Sequence, residues 1–176
     1  MADYSSLRYK DESDRAYGIA GMVISLVVLD GEPYLASVNI DNPIGEAIDF
    51  TPAFGFMGNP RLSASLAWRE LIKQFEFSTA MLMGNAMCRA YVSSSRPLSN
   101  ETTSILKDII RNEGRETYSL EEDETNIIYN RTHRYLERVF THSGVVEMAH
   151  DFAAALLSKR NLSSGEVFEF LNAINR

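Results

Sequence analysis

Residues 18–29, GIAGMVISLVVL, run for twelve positions without a charge, and no other stretch limits the fold as much. A membrane helix needs roughly 20 apolar residues, so a run this short is read as an element buried inside the protein. Its β-branched tail (Val23, Ile24, Val27 and Val28) suits a buried strand. Upstream, however, Ser13 is a good N-cap, and Asp11, Glu12 and Asp14 put acids where a first helical turn favours them. The segment of about 17 residues is also long for a strand. A helix is therefore expected, stopped by Asp30-Gly31-Glu32-Pro33.

The rest of the chain reads as a small sheet followed by helices. Tyr34 to Ile40 alternates and predicts a strand, Asp41-Asn42-Pro43 a turn, and Ala47 to Phe54 a weaker strand that Pro52 places at an edge. In the loop Phe54 to Pro60, the residues Phe54, Phe56 and Met57 either fold over the core or form an exposed binding patch. Arg61 to Phe77 and Thr79 to Ser93 form one broken helix or two, with Leu62, Leu66, Leu71, Ile72 and Phe75 on one face. Ser99 caps a helix that ends at Gly114. Ser119 opens another over Glu121 to Phe140, whose acidic first turn suits the helix dipole. Ser143 caps the next, with Val145, Val146, Ala149, Phe152, Ala153, Leu156 and Leu157 facing inward, and Ser163 and Ser164 cap the last, Gly165 to Ile174. With no internal repeat and no long linker, residues 11–176 are read as one domain behind a loose arm of residues 1–10.

Charge and cysteine content narrow the function classes. The formal net charge of −7 argues against non-specific binding to nucleic acid or anionic lipid, which need an excess of Lys and Arg on some face. A single cysteine, Cys88, closes no intrachain disulfide and builds no Cys-rich zinc site, which suits a reducing compartment. The opening residues 1–15 carry more acids than bases, unlike a secretory n-region. A soluble, cytoplasmic protein is expected.

Few residues point to chemistry on their own. His133, His142 and His150 all lie in the helical C-terminal half, and none stands four residues from another, the helical spacing that zinc favours. Cys88 has no histidine near it in sequence and reads as a small buried hydrophobe. The glycines form neither phosphate-loop pattern. The cluster Glu121 to Glu124 lacks the spacing of a calcium loop.

Larger patterns carry a resemblance. From Tyr129 to Leu171, Phe152-Ala153 and Leu156-Leu157 take a Leu-Ala-x-x-Leu-Leu helix pattern. Leu162, Glu166 and Val167 follow a Thr-Leu-x-Gly-x-Glu-Ile/Val turn, with its glycine falling on Ser164, one residue before Gly165. Leu82-Met83-Gly84-Asn85-Ala86 takes a Leu-Gly-Gly-x-Ala pattern, and Ala16, Tyr17, Ala20 and Gly21 match four positions of Ala-Tyr/Phe-His-Glu-Ala-Gly-His-Ala. In this order the segments resemble the peptidase domain of FtsH-type AAA+ zinc metallopeptidases, over roughly residues 10 to 174.

The resemblance implies a lost active site. Gly18 stands at the first zinc-binding His, Ile19 at the general-base Glu and Met22 at the second His, while Glu101 lies near the third ligand, an Asp in the family. Two histidines at i and i+4 with a carboxylate hold zinc and leave a position for water, whose proton the adjacent Glu takes. Glycine has no side chain, isoleucine accepts no proton, and a thioether is a poor ligand at an otherwise hard site. No catalytic residue, metal or other cofactor is therefore expected, although zinc belongs to the family. Histidines at 18 and 22 with a glutamate at 19 are expected to recreate half a zinc site.

The expected fold is α+β and mostly helical: an N-terminal helix, a small sheet of two or three strands, then five or six packed helices. The expected function is non-catalytic binding or regulation. Alternatives are an active hydrolase with a relocated site, using Glu101 and a histidine, or a structural oligomer subunit. A protein partner or self-association is expected, the latter through Val139, Phe140, Val145, Val146, Phe168 and Phe170. Nucleic acid, membrane and an ATP-binding module in this chain are not.

Overall fold

The computed structural model describes residues 5–55 and 63–172. The run that dominates the sequence is a helix, α1 (Glu12–Val27), and ten of its sixteen residues are buried. A helix apolar on nearly every side must sit at the centre. Accordingly α1 packs between α3 (Ala64–Met87) and α6 (Ser143–Lys159), with Ala16, Ala20, Val23 and Ile24 fully buried. Its N-cap is Asp11, not Ser13: the Asp11 carboxylate accepts from the Asp14 amide at 2.8 Å. Past its C-terminus, Asp30 takes the left-handed conformation and the Gly31 amide returns to the Leu26 carbonyl.

Three short strands, β1 (Leu35–Asn39), β2 (Ile48–Phe50) and β3 (Asn161–Ser163), form an antiparallel sheet in the order β2-β1-β3. The second strand is at an edge, as expected, but shorter. Pro52 has no amide to give a ladder and instead starts a short helix, α2 (Pro52–Gly55). Its Phe54 stacks on Phe50 at 4.3 Å, while Phe56 and Met57 lie outside the described residues. The third strand falls where only a turn was expected.

The remaining helices are α4 (Asn100–Tyr118), α5 (Glu122–Thr141) and α7 (Ser164–Leu171), so the fold is α+β and mostly helical. The broken helix is α3 running into a π-helical turn, Cys88–Ser93. Of the face assigned to α3, Phe75 is buried and Leu71 and Ile72 half-buried, whereas Leu66 is 38% exposed and Leu62 lies outside the described residues. Gly114 does not end α4. It is buried against Phe75 and Thr125, and the helix continues until Ser119, in the left-handed conformation, closes it. Ser119 is thus a C-cap, and α5 begins at a capping box of Glu121 and Glu124. Likewise His142, not Ser143, precedes α6. Of the residues expected to drive self-association, Phe140 and Val145 are buried, while Val139, Val146, Phe168 and Phe170 are partly buried against the core. No helix among the described residues is long and apolar enough to cross a membrane.

The last turn is closed by Ser163 and Glu166, whose side chains cap each other's backbone amides. The Ser163 amide, the Lys159 ammonium and the Ser163 hydroxyl hold the Glu166 carboxyl at about 2. A carboxyl lowered on folding contributes stability above its unfolded value that is lost as pH falls through its folded one. Wild type is therefore expected to exceed Glu166→Gln in stability at neutral pH, with the gap closing between pH 4.5 and about 2. Denaturant titrations across that range check it, and a gap that does not change with pH would reject the assignment.

Candidate functional site

The positions singled out on α1 divide between core and cleft. Ile19 is 1% exposed and belongs to the core. Gly18 and Met22 share a neighbouring face, since residues four apart on a helix point within about 40° of each other. A Cβ at Gly18 would lie 2.7 Å from the Tyr9 ring and 2.9 Å from the Asn85 amide nitrogen. Asn85 donates to the Tyr9 hydroxyl at 2.7 Å, so this pair fills the space that a side chain at 18 would need. The expectation that histidines at 18 and 22 would recreate half a zinc site meets this obstruction, and a glutamate at 19 would be buried in the core.

Beside that pair opens a cleft of about 690 Å³, within the range of small-molecule pockets. Its floor is apolar, made by Met22 from α1 and by Met81, Leu82 and Ala86 from α3. Phe50 closes the sheet side, and Ile44, 80% exposed, stands at the rim on the loop between β1 and β2. Leu7 and Tyr9 form the wall opposite. Asn85, Ser78, Arg8 and the Tyr9 hydroxyl supply its polar groups, and no His, Cys, Asp or Glu is among the described residues that line it.

The Leu7–Tyr9 wall is held from beneath. Residues 5–10, expected as part of a loose arm, are docked; residues 1–4 lie outside the described residues. Arg89, only 8% exposed, grips Asp14 through two hydrogen bonds of 2.9 and 2.7 Å. It also donates to the Leu7 carbonyl at 3.0 Å and the Arg8 carbonyl at 2.7 Å, and lies 5.0 Å from the centre of the Tyr9 ring. Asp14 in turn accepts from the Lys10 amide at 2.9 Å. Burial works to raise the Asp14 carboxyl, but the Arg89 bonds, the Lys10 amide and both cations outweigh it and hold the group below its ordinary value.

The other candidates are scattered. Glu101 is exposed on the first turn of α4 and does not line the cleft. His133 stacks on Tyr129, His142 precedes α6, and His150 hydrogen-bonds the Tyr17 hydroxyl at 2.6 Å. Among the described residues no three His, Cys, Asp or Glu side chains stand together as metal ligands would. Cys88 is fully buried, and burial raises its thiol far above its ordinary value, so the reactive thiolate is disfavoured. Sequence reasoning missed the cleft and Arg89. A lone arginine inside the apolar stretch AMCRAYV was the available signal for the latter. Comparison with protein-family models, curated proteins and solved structures gives no match.

Proposed function

We propose that this chain is a non-catalytic binding domain, similar in arrangement to the FtsH-type peptidase domain, whose binding site is the cleft beside Gly18 and Met22. The observation that carries the reading is the lining of that cleft. On the face of α1 where the resemblance would place two metal-binding histidines stand a glycine covered by Tyr9 and Asn85, and a methionine in an apolar wall. Such a wall binds by removing apolar surface from water, and the thioethers of Met22 and Met81 adapt to ligand shape.

An apolar dye whose fluorescence rises on burial is expected to bind at one site per chain. Leu82→Asn, in the floor, is expected to weaken it about tenfold, whereas Ile127→Asn, at a 63% exposed position outside the cleft, is not. The purified protein is expected to carry less than one zinc per chain and to leave unfolded proteins uncleaved. One tightly bound zinc per chain with chelator-sensitive proteolysis would overturn the reading, as would a dye that ignores Leu82→Asn.

A further inference from the structure

We infer that the cleft takes an amphipathic monoanion: an apolar body ending in a single carboxylate. The inference rests on the cleft being the binding site and goes further by naming its ligand. Among the described residues that line it, Arg8 is the only charged one. Arg8 is exposed, and its guanidinium makes no ion pair or hydrogen bond with a described residue. Arg89 holds this residue by its backbone carbonyl, and its amide donates to the Ser5 carbonyl at 3.2 Å, so the main chain is fixed without use of the guanidinium.

The charge pattern selects the ligand. A wall of leucine, methionine and phenylalanine favours an apolar body, and a cation with no Asp or Glu beside it among the described lining residues favours a negative head. A planar guanidinium matches a carboxylate through two parallel hydrogen bonds. The neighbouring polar groups, the Tyr9 and Ser78 hydroxyls and the Asn85 carboxamide, are neutral and add hydrogen bonds without adding charge. One exposed cation balances one negative charge.

The probes are straight-chain carboxylates from hexanoate to dodecanoate, with the alcohol and the ammonium of each length, titrated by calorimetry against the whole chain. Affinity is expected to rise about fourfold per methylene, as for buried hydrocarbon. Each carboxylate is expected to bind up to about fivefold tighter than its alcohol, the upper end for an exposed ion pair. That advantage should vanish near 1 M salt, where charges are screened within about 3 Å. In Arg8→Gln the carboxylate is expected to fall to the level of the alcohol, while Arg8→Lys keeps most of the preference. Equal binding of alcohol and carboxylate by the wild type, tighter ammonium binding, or a preference that survives Arg8→Gln would overturn the ligand assignment and leave the binding cleft standing. Absence of binding by every chain length would overturn both.

Discussion

Gly21→Ala is expected to cost about 3 kcal/mol or more, or to leave no folded protein. A Cβ at Gly21 would lie 2.0 Å from the Gly84 carbonyl oxygen and 2.7 Å from its carbon, both backbone atoms of α3. From the other side, a Cβ at Gly84 would lie 2.5 Å from the Gly21 carbonyl oxygen and 1.8 Å from the Ser25 hydroxyl. The two helices thus meet backbone to backbone at one crossing. Relief requires α1 and α3 to separate, which would unpack Val23, Ile24, Met83 and Met87 together. Overpacking of a well-packed core costs typically 1–3 kcal/mol and more where no rotamer change relieves it.

Two other glycines calibrate that number. A methyl at Gly18 meets the Tyr9 ring and the Asn85 carboxamide, which are side chains that can turn aside. Gly18→Ala should therefore cost less than Gly21→Ala and disturb the cleft wall. At Gly165 nothing lies within 4 Å, and alanine there should stabilise α7 by about 0.5 kcal/mol. Urea midpoints with unchanged slopes measure the series. A Gly21→Ala variant within about 1 kcal/mol of wild type would mean that the two helices do not meet backbone to backbone at this crossing.

The same crossing explains how much the sequence could reveal. The apolar run from Gly18 to Leu29 demanded burial and its length favoured a helix, and both follow from local chemistry alone. The pairing of Gly21 with Gly84 did not follow, because it depends on two helices that are far apart in sequence. Helix ends failed for a related reason. Ser119 is a good capping type, yet Glu121 and Glu124 satisfy each other's backbone amides better, and the serine is left to close the preceding helix. The three residues of β3 have no alternation to read; they become a strand only because Leu162 lies opposite Val38 on β1.

The cleft was the least legible feature. Its walls come from residues 7–9, 22, 44–50 and 78–86, brought together by the fold and joined by no motif. The histidines and the cysteine, the residues most able to carry catalysis, fall on α5, α6, the junction between them and the π-helical turn, and none lines the cleft. What the sequence could offer on α1 was the register of Ala16, Tyr17, Ala20 and Gly21, and those residues are mainly packing. Ala16 and Ala20 are fully buried, and Gly21 makes the crossing.

Arg89→Met is expected to lower stability by about 3 kcal/mol and to release the strap that walls the cleft. The substitution keeps an unbranched apolar stem and removes every donor, so Asp14 loses its ion pair and the Leu7 and Arg8 carbonyls lose their partners. Breaking a buried pair by removing one member typically costs 3–5 kcal/mol, because the remaining charge stays desolvated. Arg89→Lys should recover only part of this, since an ammonium cannot grip a carboxylate and two carbonyls with a planar fork. The pH dependence carries the sign. Asp14 is held below 3.8 in the folded state, so its contribution is present above that value and is lost as pH falls through the lowered one. With Arg89 gone, burial is opposed only by the Lys10 amide and charge, so the carboxyl rises and the stability gap between wild type and variant should narrow in acid. Limited proteolysis supplies the local reading: cleavage within residues 5–10 should become fast in Arg89→Met while the rest of the chain stays resistant, and apolar dye binding should weaken with it. A variant that is as stable as wild type, or that unfolds without earlier exposure of the strap, would show that the wall of the cleft is held by something other than Arg89.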